Sequence, residues 1–182
     1  MSKVEEDRIS TVAPNIDIPR NLVSSWRVTD SLISEFLDES LRIEGITRGP
    51  NKDEIDATRM FLEQDPLRIE HVLNLQVVYA PNRPLRDRAG MDVRVGGYYP
   101  PRGGITIPGR LGNLIEKVNR GDGSPWENHV AFEALHPFLD GNGRTGRAVW
   151  LWQMIRDDGV DRAFSLPFLH RFYYQTLDAS DR

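Results

Sequence analysis

The chain has 182 residues, 39% of them hydrophobic and 27% charged, with a formal net charge of −4. That length suffices for one domain with a substantial core, and the acidic balance argues against general nucleic-acid or anionic-membrane binding, so any anion site must be local. With no cysteine, a disulfide framework, a thiol nucleophile and a cysteine metal site are all excluded.

The opening "MSKVEEDRIS" lacks the apolar core of a signal peptide, and no run of about 18 apolar residues exists to span a membrane. A cytoplasmic location is therefore expected. Residues 1–25, with Pro14 and Pro19 among scattered polar groups, read as a loosely packed arm. Residues 26–182 read as a single, mainly α domain. Leu32, Ile33, Phe36, Leu37 and Leu41 form one helical stripe, started by Thr29 or Asp30 and stopped near Gly45. Asn51 and Glu54 form a capping box for a helix through about Glu63. Asp65-Pro66 is expected to open the next helix, with Ile69, Val72, Leu73 and Gln76 leading to Tyr79.

Between them and the next helices, "MDVRVGGYYPPRGGITI" alternates weakly around Gly96-Gly97 and suggests a short β-hairpin, an irregular loop being the alternative. Pro108 can open a helix bearing Leu111, Leu114, Ile115 and Val118. Ser124-Pro125-Trp126-Glu127 is a helix start with cap, proline and box glutamate. A helix from Arg144 carries Ala148, Leu151, Trp152 and Ile155 on one side and ends before Gly159. A last helix is expected from Ser165-Leu166-Pro167, with Phe168, Phe172 and Tyr173. His71, His129 and His170 stand in no pattern that suggests chemistry.

The chemistry is concentrated in "HPFLDGNGRTGR", His136 to Arg147. Gly141, Asn142 and Gly143 can adopt the positive-φ backbone that gathers N–H groups into an anion nest, and the following helix start adds more of them. Arg144 and Arg147, three apart, project from one face of the first turn, against the helix dipole. Two arginines, a nest and a helix end make a cradle for several phosphate oxygens. Asp140 at its edge is a hard carboxylate of the kind that holds Mg²⁺ together with substrate phosphates. His136 can take a proton from an attacking hydroxyl. The set suggests phosphoryl or nucleotidyl transfer. It lacks the Lys-Ser/Thr of a Walker loop, and a helix rather than a strand precedes it.

This stretch matches at every defined position the His-Pro-Phe-x-Asp/Glu-Gly-Asn-Gly-Arg-x-x-Arg signature and so resembles the Fic family; a looser resemblance spans roughly Ser31 to Leu177, including "FYYQTL". The resemblance implies a compact helical bundle with a short β-hairpin flap beside the active-site loop. It also implies transfer of AMP from ATP to a Ser, Thr or Tyr hydroxyl of a target protein, or of the chain itself. His136 would be the base and Asp140 the Mg²⁺ ligand. Gly141, Asn142, Gly143 and Arg144 would bind phosphates, and Arg147 would meet the γ-phosphate. Val95, Gly96, Gly97 and Tyr98 would form the flap that aligns a target strand. The Doc-type branch, which transfers phosphate, has Ala and Lys in place of two glycines retained here as Gly141 and Gly143, so AMP transfer is favoured.

Glu44 is anomalous without any family: it lies seven residues after Leu37 and three after Leu41, on the apolar face of its helix. A carboxylate there either reaches water at a frayed end or pairs with a cation. "SLRIEG", Ser40 to Gly45, also resembles the Ser/Thr-x-x-x-Glu-Gly/Asn inhibitory motif of Fic proteins, which makes residues 30–44 an inhibitory helix. Ser40, Glu44 and Gly45 would then hold Arg147 and misalign ATP for attack. The rival readings are removal of AMP, transfer of another nucleotide or of phosphate, and a nucleotide-binding interaction module without activity. Neither nucleic acid nor membrane is expected as a partner, and an oligomer is compatible with the sequence.

Overall fold

The computed structural model describes residues 28–165; the N-terminal arm and the helix expected beyond Ser165 lie outside the described residues. Within them the chain forms seven α-helices, and no β-strands. They are α1 (Asp30–Ile43), α2 (Lys52–Leu62), α3 (Ile69–Tyr79), α4 (Thr106–Arg120), α5 (Pro125–Leu135), α6 (Asn142–Asp158) and α7 (Val160–Ser165).

Local capping chemistry sets most starts. The Thr29 hydroxyl accepts from Leu32 N–H, and both Asn51–Glu54 and Ser124–Glu127 close reciprocal capping boxes. α1 ends as a Schellman motif: Ile46 N–H reaches Leu41 C=O and Gly45 N–H reaches Arg42 C=O, with Gly45 at φ +70°. Asp65-Pro66 does not open α3. That peptide is cis, Arg68 is still extended at φ −126°, and the helix starts at Ile69, its end held by Arg68 N–H donating to His71 Nδ1. α4 and α6 each begin two residues before the positions expected from Pro108 and Arg144.

The hairpin expected around Gly96-Gly97 is not formed. Its remnant is one antiparallel bridge, Val95 with Tyr98, closed by two backbone hydrogen bonds across the glycine pair. Two bonded residues give no neighbouring backbone to extend a ladder, so the rest of the segment runs as a loop.

α6 is the central element. Asn142 and every residue from Arg144 to Met154 are buried, so the helix is enclosed all round rather than on one side. α5 packs along it, and α1, α2, α3 and α7 close the remaining faces. The α5–α6 approach is close because Gly146 has no side chain: a Cβ there would stand 2.6 Å from Glu133 Oε1 and 2.9 Å from the Phe132 ring. The α1 residues Ile33, Phe36, Leu37 and Ile43 seat that helix in the same core. Its connection to α2 is fixed by Arg48, whose guanidinium grips both carboxylate oxygens of the buried Glu54 at 2.7 Å.

Candidate active site at the α5–α6 loop

The loop from His136 to Gly141 turns the chain from the C-terminus of α5 into the N-terminus of α6. His136 makes the first bend at φ +47°, unusual for a residue with a Cβ and a common sign of functional strain. Pro137 to Leu139 then run beside Pro84 to Arg86 as a single antiparallel bridge, with Arg86 N–H to Pro137 C=O and Leu139 N–H to Pro84 C=O. Phe138 drops into the core with no exposure, its ring 6.4 Å from that of Phe132. Gly141 makes the second bend at φ +77°, where a Cβ would also stand 2.8 Å from Ala80 Cβ.

Of the three residues expected to form a positive-φ nest, only Gly141 has that backbone; Asn142 and Gly143 are already helical. The reason lies in the Asn142 side chain. Its Oδ1 accepts from Phe138 N–H at 2.8 Å and its Nδ2 donates to Phe138 C=O at 2.9 Å, which clamps the loop and commits Asn142 to the first helical turn. Gln76 of α3 holds the other side, donating to Asp140 C=O at 3.0 Å. No side chain caps α6, so its first backbone N–H groups and the positive end of its dipole remain available to an anion.

Arg147 has no exposure. Its Nε donates to Ser40 Oγ at 2.8 Å, and one terminal nitrogen donates to Ser40 C=O at 3.0 Å and to Glu44 Oε1 at 2.6 Å. Glu44 is the C-cap of α1, where the dipole disfavours a carboxylate, but it lies over the N-terminus of α6, where the dipole favours one. Its Oε1 stands 2.2 Å from where a Cβ on Gly143 would be. The Schellman turn at Gly45 stops α1 at the point that makes this seat reachable. Arg144 is also buried, donates to Tyr79 C=O and lies with its guanidinium carbon 5.9 Å from the Tyr79 ring centroid.

His136 is neutral at physiological pH. Burial, helped by the Arg86 charge, lowers its pKa to about 4, against opposing pulls from the Glu133 carbonyl and the Glu44 and Asp140 carboxylates. Arg86 was not singled out by sequence, yet it has no exposure and its guanidinium donates to the carbonyls of His136, Leu135, Met91 and Pro101. Nothing local in "RPLRDRAG" distinguishes it from its exposed arginine neighbours. Tyr98, expected in the flap, donates its hydroxyl to Ala134 C=O at 2.9 Å, two residues before His136. The Val95 to Tyr98 turn is thereby tied to α5 next to the loop.

Asp140 is exposed, and its Oδ1 accepts Gly141 N–H at 2.6 Å. Among the described residues no group of three His, Asp or Glu could hold a metal. A divalent ion at Asp140 would draw its other ligands from water and a bound phosphate, a donor set that suits Mg²⁺. A cleft of about 250 Å³ between α2 and α3, lined by Met60, Phe61 and Leu75, lies elsewhere and shares no residue with this loop. No described helix is long and apolar enough to cross a membrane.

Residues 66–154 match the family model described as Fic/DOC. The match begins ahead of α3, runs to Met154 in the last third of α6 and contains the whole His136 to Arg147 stretch with the Val95 to Tyr98 turn, while α1 with Ser40 and Glu44 precedes it. Over that span the chain is a Fic/DOC family domain.

Proposed function

We propose that the chain is an autoinhibited protein adenylyltransferase, which moves AMP from ATP to a Ser, Thr or Tyr hydroxyl of a target protein. The observation that carries this reading is the seat of Glu44: an acidic side chain from α1 occupies the arginine and helix end that a phosphate would take, within a Fic/DOC site.

In the transfer, the target oxygen forms a bond to the α-phosphorus, the bond from that phosphorus to the β-phosphate bridge breaks, and pyrophosphate leaves. His136 receives the hydroxyl proton. It is neutral and so able to accept it, and phosphate charge arriving beside it raises its basicity. The α6 N–H groups and Arg144 would hold phosphate oxygens, with Arg144 leaving Tyr79 C=O to do so. Asp140 would hold Mg²⁺, which supplies charge neutralisation for the phosphates. The Val95 to Tyr98 turn would align the target segment through its exposed backbone. With Glu44 on Arg147 the γ-phosphate loses its seat, and ATP binds with the α-phosphate out of line.

The test is incubation with α-labelled ATP and Mg²⁺, with acceptor proteins from a lysate. Glu44→Gly is expected to label proteins on the order of 100-fold more than wild type, the scale that a misplaced reacting centre costs. His136→Ala in that background is expected to lose labelling by at least about 100-fold. Equal labelling by wild type and Glu44→Gly would remove the inhibitory role of Glu44. Label arriving from γ-ATP and not α-ATP would assign phosphate transfer instead.

A further inference from the structure

The segment that runs from the end of α3 into α4 is basic, on a chain that is acidic. Arg83, Arg88, Arg94, Arg102 and Arg110 are exposed along it, whereas the whole chain carries a formal net charge of −4. The acidic residues of the segment are already committed. Asp87 pairs with Arg88 at 3.3 Å, and Asp92 Oδ1 accepts Gly103 N–H at 2.9 Å. Among the described residues, Arg94 and Arg102 enter no ion pair.

Arg94 is exposed but held in place. Its Nε donates to Gly96 C=O at 2.7 Å, and its guanidinium carbon lies 5.2 Å from the Tyr99 ring centroid. Side chains alternate along extended backbone, so positions 94 and 99 flank the Val95–Tyr98 bridge on the face opposite Tyr98. Tyr98 ties the turn to Ala134 C=O, two residues before His136. Arg86, shared between the carbonyls of His136, Met91 and Pro101, fixes both ends of the loop against the candidate base.

An arginine that is free in solvent loses rotamer entropy when it grips a partner, whereas the Nε bond and the ring contact have already fixed this one. They leave the N–H groups of both terminal nitrogens, the pair that meets a carboxylate in parallel. Beside it Tyr99 is 68% and Val95 38% exposed, apolar surface of the kind that marks a protein-binding site.

We propose that Arg94, seated on Tyr99, reads a carboxylate in the target segment, so that the substrates of this site are proteins whose acceptor hydroxyl lies in an acidic stretch. The proposal rests on the reading that this turn aligns the target for transfer. Charge complementarity selects the occupant: an acidic segment neutralises cations that the loop itself leaves unpaired, and the local field speeds its encounter.

The test uses short synthetic peptides with Ser, Thr or Tyr as their sole hydroxyl and Glu, Gln or Lys at each flanking position in turn. The Glu44→Gly protein is incubated with each peptide, α-labelled ATP and Mg²⁺. At one or more positions Glu is expected to raise labelling about fivefold over Gln, the upper range for an exposed ion pair. Adding Arg94→Gln should abolish that ratio, and adding Arg94→Glu should turn the preference towards Lys, a reversal that no misfolded variant can mimic. Equal labelling of Glu and Gln peptides, or a ratio that survives Arg94→Gln, overturns the proposal and leaves the transferase reading intact. A second arm needs no turnover. The Arg94 Nε–H signal of ¹⁵N-labelled Glu44→Gly protein, assigned by its loss in Arg94→Gln, should shift on titration with Glu peptides and not with Gln peptides. If no peptide is labelled, the transferase reading fails and this signal decides the matter. No shift with any Glu peptide overturns the proposal, and so does an equal shift with a single-stranded oligonucleotide, which would assign the patch to polyanions in general.

Discussion

A single buried side chain, Arg86, connects three parts of the site. Its donors satisfy the carbonyls of Leu135 and His136, two of the acceptors that the end of α5 leaves without helical partners, and those of Met91 and Pro101 in the loop that carries the Val95 to Tyr98 turn. Only a guanidinium spreads enough donors to reach all four; a lysine ammonium offers three from one point. Arg86→Met is expected to lower stability by about 2–3 kcal/mol, since it leaves buried carbonyls unpaired, read from urea unfolding. The same change removes a cation beside His136, whose pKa is held down to about 4 by burial and then by Arg86. The His136 ring should therefore titrate at a higher pH in Arg86→Met, measured by ring-proton NMR. An unchanged midpoint would mean that the Arg86 charge does not act on the base.

At the level of helices, glycine separates close packing from empty space. Gly146 of α6 faces Glu133 and Phe132 at 2.6 and 2.9 Å from its Cβ position, whereas Gly112 of α4 meets nothing within 4 Å. Gly112→Ala is expected to stabilise by about 0.5–1 kcal/mol through helix propensity. Gly146→Ala is expected to cost about 1–3 kcal/mol through overpacking of the α5–α6 contact, despite the same gain in propensity. Thermal unfolding of the two variants checks the opposite signs. The same contrast explains which features could be read from sequence. The caps at Thr29, Asn51 and Ser124 and the stop at Gly45 depend on residues within a few positions of each other, and they stand where the sequence puts them. Glu44 was legible because a carboxylate on an apolar stripe violates the helix's own pattern. Arg86 and Glu133 violate nothing locally, and their burial comes from chain segments far away in sequence. The Gly96-Gly97 pair encodes a turn, but a hairpin needs backbone partners on both sides, and only Val95 and Tyr98 bond. Asn142 read as part of a nest because the stretch around it is glycine-rich, while its amide was already engaged with Phe138.

Across the whole molecule, three titratable side chains on α5 and at its C-cap are shielded from water, and their linkage to folding shapes stability against pH. His129 and Glu133, four apart, share one face of α5, and His136 is the C-cap that ends it. The two histidines are depressed to about 3 and about 4, chiefly by burial. Between those values and about 6.5 the unfolded chain binds their protons and the folded chain does not, so stability falls as pH drops below about 6.5. Glu133 acts with the opposite sign. Raised to about 7 by burial, it binds a proton in the folded state from about 4.5 upwards, and this contribution is lost as pH rises through 7. From about pH 4.5 to 6.5 two protons favour the unfolded chain and one favours the folded chain, which leaves a net slope of about 1.4 kcal/mol per pH unit. Above 6.5 Glu133 alone titrates and reverses the sign, so these groups place the stability maximum near neutral pH, slightly on the acid side. Urea unfolding across this range should show that maximum. His129→Gln removes one of the two opposing protons, so its slope between about pH 4.5 and 6.5 should be about 1.4 kcal/mol per unit shallower than in wild type. Parallel slopes would show that His129 takes up its proton in the folded state, which its enclosure between α5, Gly146 and Arg147 forbids.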